Sequence, residues 1–82
     1  MPKFRKKPVV IEAIQWDGSN GAFDSIQALD ENGAISFDHD ALHVTTLEGV
    51  MHADILDWII KGVKGELYSC KPDIFAATYE AA

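Results

Sequence analysis

The distribution of apolar positions changes character along the chain. In residues 7–16, KPVVIEAIQW, apolar side chains fall on both alternating sets, and Val9, Val10 and Ile11 favour extended backbone. That pattern predicts a first strand covered on both faces. Glu12 interrupts it and is read as a carboxylate at the sheet periphery or beside a base, rather than as a buried functional acid. Trp16 is read as a cap on the core, with a ligand-stacking indole as the other reading. Residues 17–21, DGSNG, signal a loop in which Ser19 or Asn20 can cap a following helix. Residues 22–29 then place Phe23, Ile26 and Leu29 on one helical face, with Asp24 and Gln27 turned outward. Such a short helix needs a sheet to pack on. Residues 31–33, ENG, end it.

A meander of short strands follows, over residues 34–37, 42–46 and 50–53, with a bulge-type hairpin at Leu47, Glu48 and Gly49. The stretch 57–79, DWIIKGVKGELYSCKPDIFAATY, is the most strongly patterned. Gly65 suits the positive-φ position of a three-residue loop, which pairs Ile60 with Tyr68 and Trp58 with Cys70. That side is read as the core face. The mixed side, with Asp57, Ile59, Lys61, Leu67 and Ser69, is read as partly exposed or as a contact surface. Pro72 ends the strand near Lys71. Residues 73–75 are expected to make a turn or one helical turn, and 76–80 to form a last strand. The expected core is Val9, Ile11, Phe23, Ile26, Phe37, Trp58, Ile60, Tyr68 and Phe75. The fold class is α+β: a mainly antiparallel sheet of five or six short strands that could curl into a partial barrel, with one short helix packed on it.

At 82 residues the chain is one domain, residues 1–82. A chain of this size buries roughly 60 to 65% of its unfolded surface, so a homo-oligomer is expected. No apolar run reaches membrane-spanning length and no signal-peptide pattern is present, which predicts a cytoplasmic protein. The single Cys70 is read as a small core hydrophobe.

Charge divides the chain sharply. Residues 1–7 form a basic arm with Lys3, Arg5, Lys6 and Lys7 and no acid, whereas the rest holds three bases and all 13 acids. Such an acidic body disfavours duplex nucleic acid as a partner.

No catalytic signature is present, so the chain is read as a non-enzyme without catalytic residues or cofactor. Asp38, His39, Asp40, His43 and His52 are the residues of metal-ligand type. They lack the tight paired spacings of zinc sites and are read as solvent-exposed, with no metal. His43 and His52 come together only if the hairpin register is right, because one step would put them on opposite faces. The basic residues offer another constellation. If the first strand pairs beside the long hairpin, Arg5, Lys6, Lys7, Lys61, Lys64 and Lys71 could border one face with Trp16 or Tyr68 near by. Of these, Arg5, Lys6, Lys7, Lys61 and Lys64 with the aromatic rings are read as binding a small nucleotide-like anion, cations holding phosphate while a ring stacks on a base. Gatekeeper charges on sheet edges are the other reading.

Residues 4–16, FRKKPVVIEAIQW, and 57–80, DWIIKGVKGELYSCKPDIFAATYE, resemble small tailed-phage and prophage proteins of unassigned function. The resemblance covers about half the chain and none of its middle. Those proteins often carry Pro-Gly where Ile55 and Leu56 stand here, so a bend or short helix is expected there. What the resemblance implies is a phage origin and residence in a host cytoplasm, with no activity attached. The expected function is that of a phage accessory binding protein that sequesters a nucleotide-like host immune signal. The alternative is a protein-interaction module that inhibits a host protein or attaches to a virion component.

Overall fold

The computed structural model describes residues 2–3, 10–38 and 41–80. The elements run β1 (Glu12–Gln15), α1 (Asn20–Leu29), β2 (Ile35–Asp38), β3 (Ala41–Thr46), β4 (Gly49–Ala53), β5 (Trp58–Lys61), β6 (Leu67–Cys70) and α2 (Pro72–Thr78). The strands form two antiparallel three-stranded sheets, ordered β1-β5-β6 and β2-β3-β4, which do not close into a barrel. Among the described residues no helix is long and apolar enough to cross a membrane.

The first sheet is built around β5. Its register with β6 pairs Trp58 with Cys70 and Ile60 with Tyr68, as the three-residue loop requires, and Gly65 carries the expected positive φ of 85°. The first strand differs from expectation. Among the described residues it starts at Glu12, lies at the edge of its sheet and pairs only with β5, while residues 7–9 of the expected strand lie outside the described residues.

The core lies on the side of the β5–β6 hairpin that the mixed composition suggested was exposed. Ile59 and Leu67 join Ile26 and Leu29 of α1, Leu42, Val44 and Ala53 of the second sheet, and Trp16 in one buried cluster. A single sheet with a single buried face would have made the more uniformly apolar side the inner one. Here both sides are covered. On the far side Ile60 is also 0% exposed, and Phe75 of α2 stacks on Trp58 with ring centroids 4.1 Å apart. Tyr79 completes this aromatic layer, 5.0 Å from Phe75 and with its hydroxyl 3.3 Å from that of Tyr68. Trp58, Tyr68 and Phe75 are thus half-buried members of a second, smaller layer.

Of the other expected core residues, Ile26 is fully buried, Phe23 packs against the cluster, Ile11 is half-buried, and Val9 lies outside the described residues. Phe37 is 48% exposed, because β2 is a sheet edge and its ring closes the rim of a Trp16, Phe23 and Phe37 edge-to-face trio.

The last strand does not form. Residues 72–78 are the helix α2, a second helix where one was expected. Pro72 at the first helical turn is preorganised in φ, Asp73 sits favourably at the positive end of the helix dipole, and Ala76 and Ala77 are strong helix formers. In α1 the expected cap holds, with Ser19 Oγ accepting from the Ala22 N–H at 3.1 Å. The β3–β4 hairpin is tighter than expected. Thr46 faces Gly49 across a two-residue turn, which the Thr46 hydroxyl closes by donating to Gly49 O at 2.8 Å.

At Ile55 and Leu56 the chain makes a β-turn instead of a bend or helix. The Asp57 N–H donates to Asp54 O at 3.0 Å, and Leu56 has φ of 79°. That conformation costs a side-chain-bearing residue roughly 1 to 2 kcal/mol. Glycine removes the strain but returns about 0.4 to 1 kcal/mol through the freer unfolded chain. Leu56→Gly is therefore expected to stabilise the protein by about 0.5 to 1 kcal/mol, raising the thermal midpoint by about 2 to 8 °C. A calorimetric scan showing a lower midpoint would contradict it.

Candidate binding cleft

Three loops converge on one end of the second sheet. The α1–β2 loop is organised by Asp30, whose carboxylate accepts from the N–H groups of Asn32, Ala34 and Ile35 at 3.0 to 3.1 Å. Burial pushes the Asp30 carboxyl upward most, yet these backbone donors together hold it below the usual carboxylate range. The β3–β4 turn brings Leu47 and Glu48, and the β5–β6 loop brings Lys64, Gly65 and Glu66. Between them lies an open cleft of about 740 Å³. Its apolar lining comes from Ala34, Leu47, Met51 and Leu67, with Tyr68 at its border, and its charged residues, among those described, are Asp30, Glu48, Glu66 and Lys64. Among the described lining residues, three are thus acidic and one is basic. The Glu66 carboxylate also accepts from the Lys64 N–H at 3.1 Å, which fixes the loop.

Of the seven residues expected to hold a ligand, the structure brings two, Lys64 and Tyr68, into this cleft. Burial and the hydrogen bond to Tyr79 push the Tyr68 phenol up to about 12, so it is a neutral hydroxyl at physiological pH, and it faces Tyr79 in the α2 layer. Trp16 is 3% exposed, and its indole is covered by Phe23 and Phe37 rather than offered to a ligand. Lys61 lies outside the cleft, its Nζ 2.6 Å from Glu31 Oε1. That hydrogen bond raises the ammonium's pKa, with Glu12, its cross-strand neighbour, adding a smaller pull. Glu12 is accordingly an exposed carboxylate beside a base. Arg5, Lys6 and Lys7 lie outside the described residues.

A second polar cluster sits at the 54–57 turn. Asp57 is 2% exposed, and its Oδ2 accepts from the Asp54 N–H at 2.9 Å and from Lys71 Nζ at 3.0 Å. Lys71 also reaches Asp54 Oδ2 at 2.7 Å. Those two carboxylates, Asp54 first, raise the Lys71 pKa. The half-buried Cys70 thiol is pushed up, mainly by burial and then by the nearby Asp57 and Asp73, so it stays protonated at neutral pH.

On the outward face of the second sheet, His43 and His52 are direct cross-strand partners with ring centroids 5.3 Å apart. The side chain of Asp38, and all of His39 and Asp40, lie outside the described residues. Among the described residues no group of three or more His, Cys, Asp or Glu converges in metal-binding geometry.

What sequence reading missed was the cleft itself. Leu47, Glu48 and Glu66 each read as ordinary loop residues, and only the packing of one sheet's hairpin beside the other's brings them together. A comparison with protein-family models, with curated proteins and with solved structures finds no match.

Proposed function

We propose that this chain is a phage-encoded accessory protein that acts by binding another protein, a host factor or a virion component, and that the cleft receives a basic, partly apolar segment of that partner. The observation that carries this reading is the composition of the cleft: among the described residues its apolar lining is accompanied by Asp30, Glu48 and Glu66 and by one cation, Lys64. Carboxylates around an apolar surface favour Lys or Arg with flanking aliphatic side chains, and like charges repel an anion. The placement of the cleft supports the same reading. The two stretches that carry the phage-protein resemblance meet in one sheet, β1 on the β5–β6 hairpin with α2 behind, whereas the other cleft walls come from the middle of the chain. A common frame would then present a variable binding wall.

A nucleotide-like ligand is the second reading, favoured by Lys64 and Tyr68 lying together in the cleft. Titration calorimetry distinguishes the two, using a blocked peptide of alternating Leu and Lys and, separately, a cyclic dinucleotide. The peptide is expected to bind, and Glu48→Lys to weaken it by about tenfold, or 1.4 kcal/mol, with added salt acting in the same direction. Binding of the dinucleotide alone, strengthened by Glu48→Lys, would replace protein interaction with nucleotide sequestration.

A further inference from the structure

We propose that His43 and His52 form a two-imidazole site for a divalent transition-metal ion on the outward face of the second sheet. The β3–β4 register makes them direct partners. Leu42 and Val44, on either side of His43, are both fully buried, and Ala53, next to His52, is 2% exposed. Strand alternation therefore turns both imidazoles outward on the same face. Their ring centroids are 5.3 Å apart with the planes tilted by 32°. Two imidazoles whose nitrogens sit about 2.0 to 2.1 Å from one tetrahedral ion have ring centres about 5 Å apart, so the pair needs only small side-chain rotation to chelate.

A third group favours the same use. Asp54 Oδ1 lies 3.8 Å from His52 Nε2, and Lys71 holds the other oxygen of that carboxylate at 2.7 Å. A carboxylate facing one ring nitrogen orients the imidazole and leaves the other nitrogen, here Nδ1, for the metal. The ligand type selects the class of ion: neutral imidazoles suit Ni²⁺, Cu²⁺ and Zn²⁺ over Mg²⁺ or Ca²⁺. With two protein ligands, water fills the remaining positions, and the bound ion staples β3 to β4.

The full chain is titrated with Ni²⁺ by calorimetry, and its thermal midpoint is followed with and without the ion. One saturable ion per chain and a rise in midpoint that EDTA reverses are expected. His43→Ala and His52→Ala should each weaken binding at least about tenfold and abolish the rise, because each removes half of the chelate. His39→Ala, which removes the remaining histidine, should leave affinity within about twofold. Should either alanine variant fail to fold, the parent protein still provides a test, since substoichiometric Cu²⁺ should broaden the amide resonances around His43 and His52 first. Undiminished affinity in a folded His43 or His52 variant, loss of binding in His39→Ala, or broadening centred elsewhere would overturn the site.

Discussion

Ile59→Ala is expected to lower the unfolding free energy by about 3 to 5 kcal/mol, in the upper part of the range for removing a buried aliphatic side chain. Ile59 is 0% exposed and sits on the central strand of its sheet, within the cluster formed by α1 and the second sheet. Neighbours held on several sides cannot collapse into the space, so the cost of the cavity adds to the lost transfer energy. A domain with roughly 5 to 15 kcal/mol of total stability would lose a large share of it. Urea denaturation should show a lower midpoint with an unchanged slope. The outcome also decides which side of the hairpin is the core. Had the mixed face been the solvent side, the change would stay within about 0.5 kcal/mol.

Asp57→Ala is the second large effect, expected at about 2 to 3 kcal/mol. The carboxylate satisfies the Asp54 N–H inside the turn and anchors Lys71. Removing it strands a part-buried backbone donor, which costs about 1 to 3 kcal/mol. Lys71 is half exposed and keeps Asp54, so the 3 to 5 kcal/mol typical of breaking a fully buried pair is not reached. Lys71→Met should accordingly cost less than about 1 kcal/mol. Equal losses for the two variants in urea would show that Asp57 stabilises the turn chiefly through its ion pair with Lys71 and not through the backbone donor.

These two residues also mark where the sequence was legible. The β5–β6 register followed from Gly65 alone, because a loop of fixed length leaves one pairing, and the cap and inner face of α1 followed from Ser19 and the spacing of Phe23, Ile26 and Leu29. The orientation of the hairpin did not follow. Alternation reveals that two faces differ, but not which is covered, and here α2 covers the second. That helix was hidden because Ala76, Ala77 and Tyr79 fit a strand after an apparent turn, although Pro72 and Asp73 mark a helix start. For the candidate site, Lys64 and Tyr68 were legible as neighbours on one hairpin. Trp16 was legible as a core cap, and its burial removes it from a ligand's reach. Lys61 could not be placed, since its partner Glu31 comes from a loop distant in sequence. The His43 and His52 pairing was conditional on a register that the Thr46 and Gly49 turn sets.

The position of β1 governs the order in which this chain can fold. Ala13 lies opposite Ile60, so the strand synthesised first has its partner near the far end of the chain, and the pairing must close most of its length as one loop. The β3–β4 and β5–β6 hairpins close over a few residues and can form as soon as they emerge, whereas β1 waits. At a translation rate of about 5 to 20 residues per second, that wait lasts roughly several seconds. During that wait β1 lacks its partner strand, so the nascent chain is most prone to wrong pairing around Ala13 and Ile14 before β5 emerges.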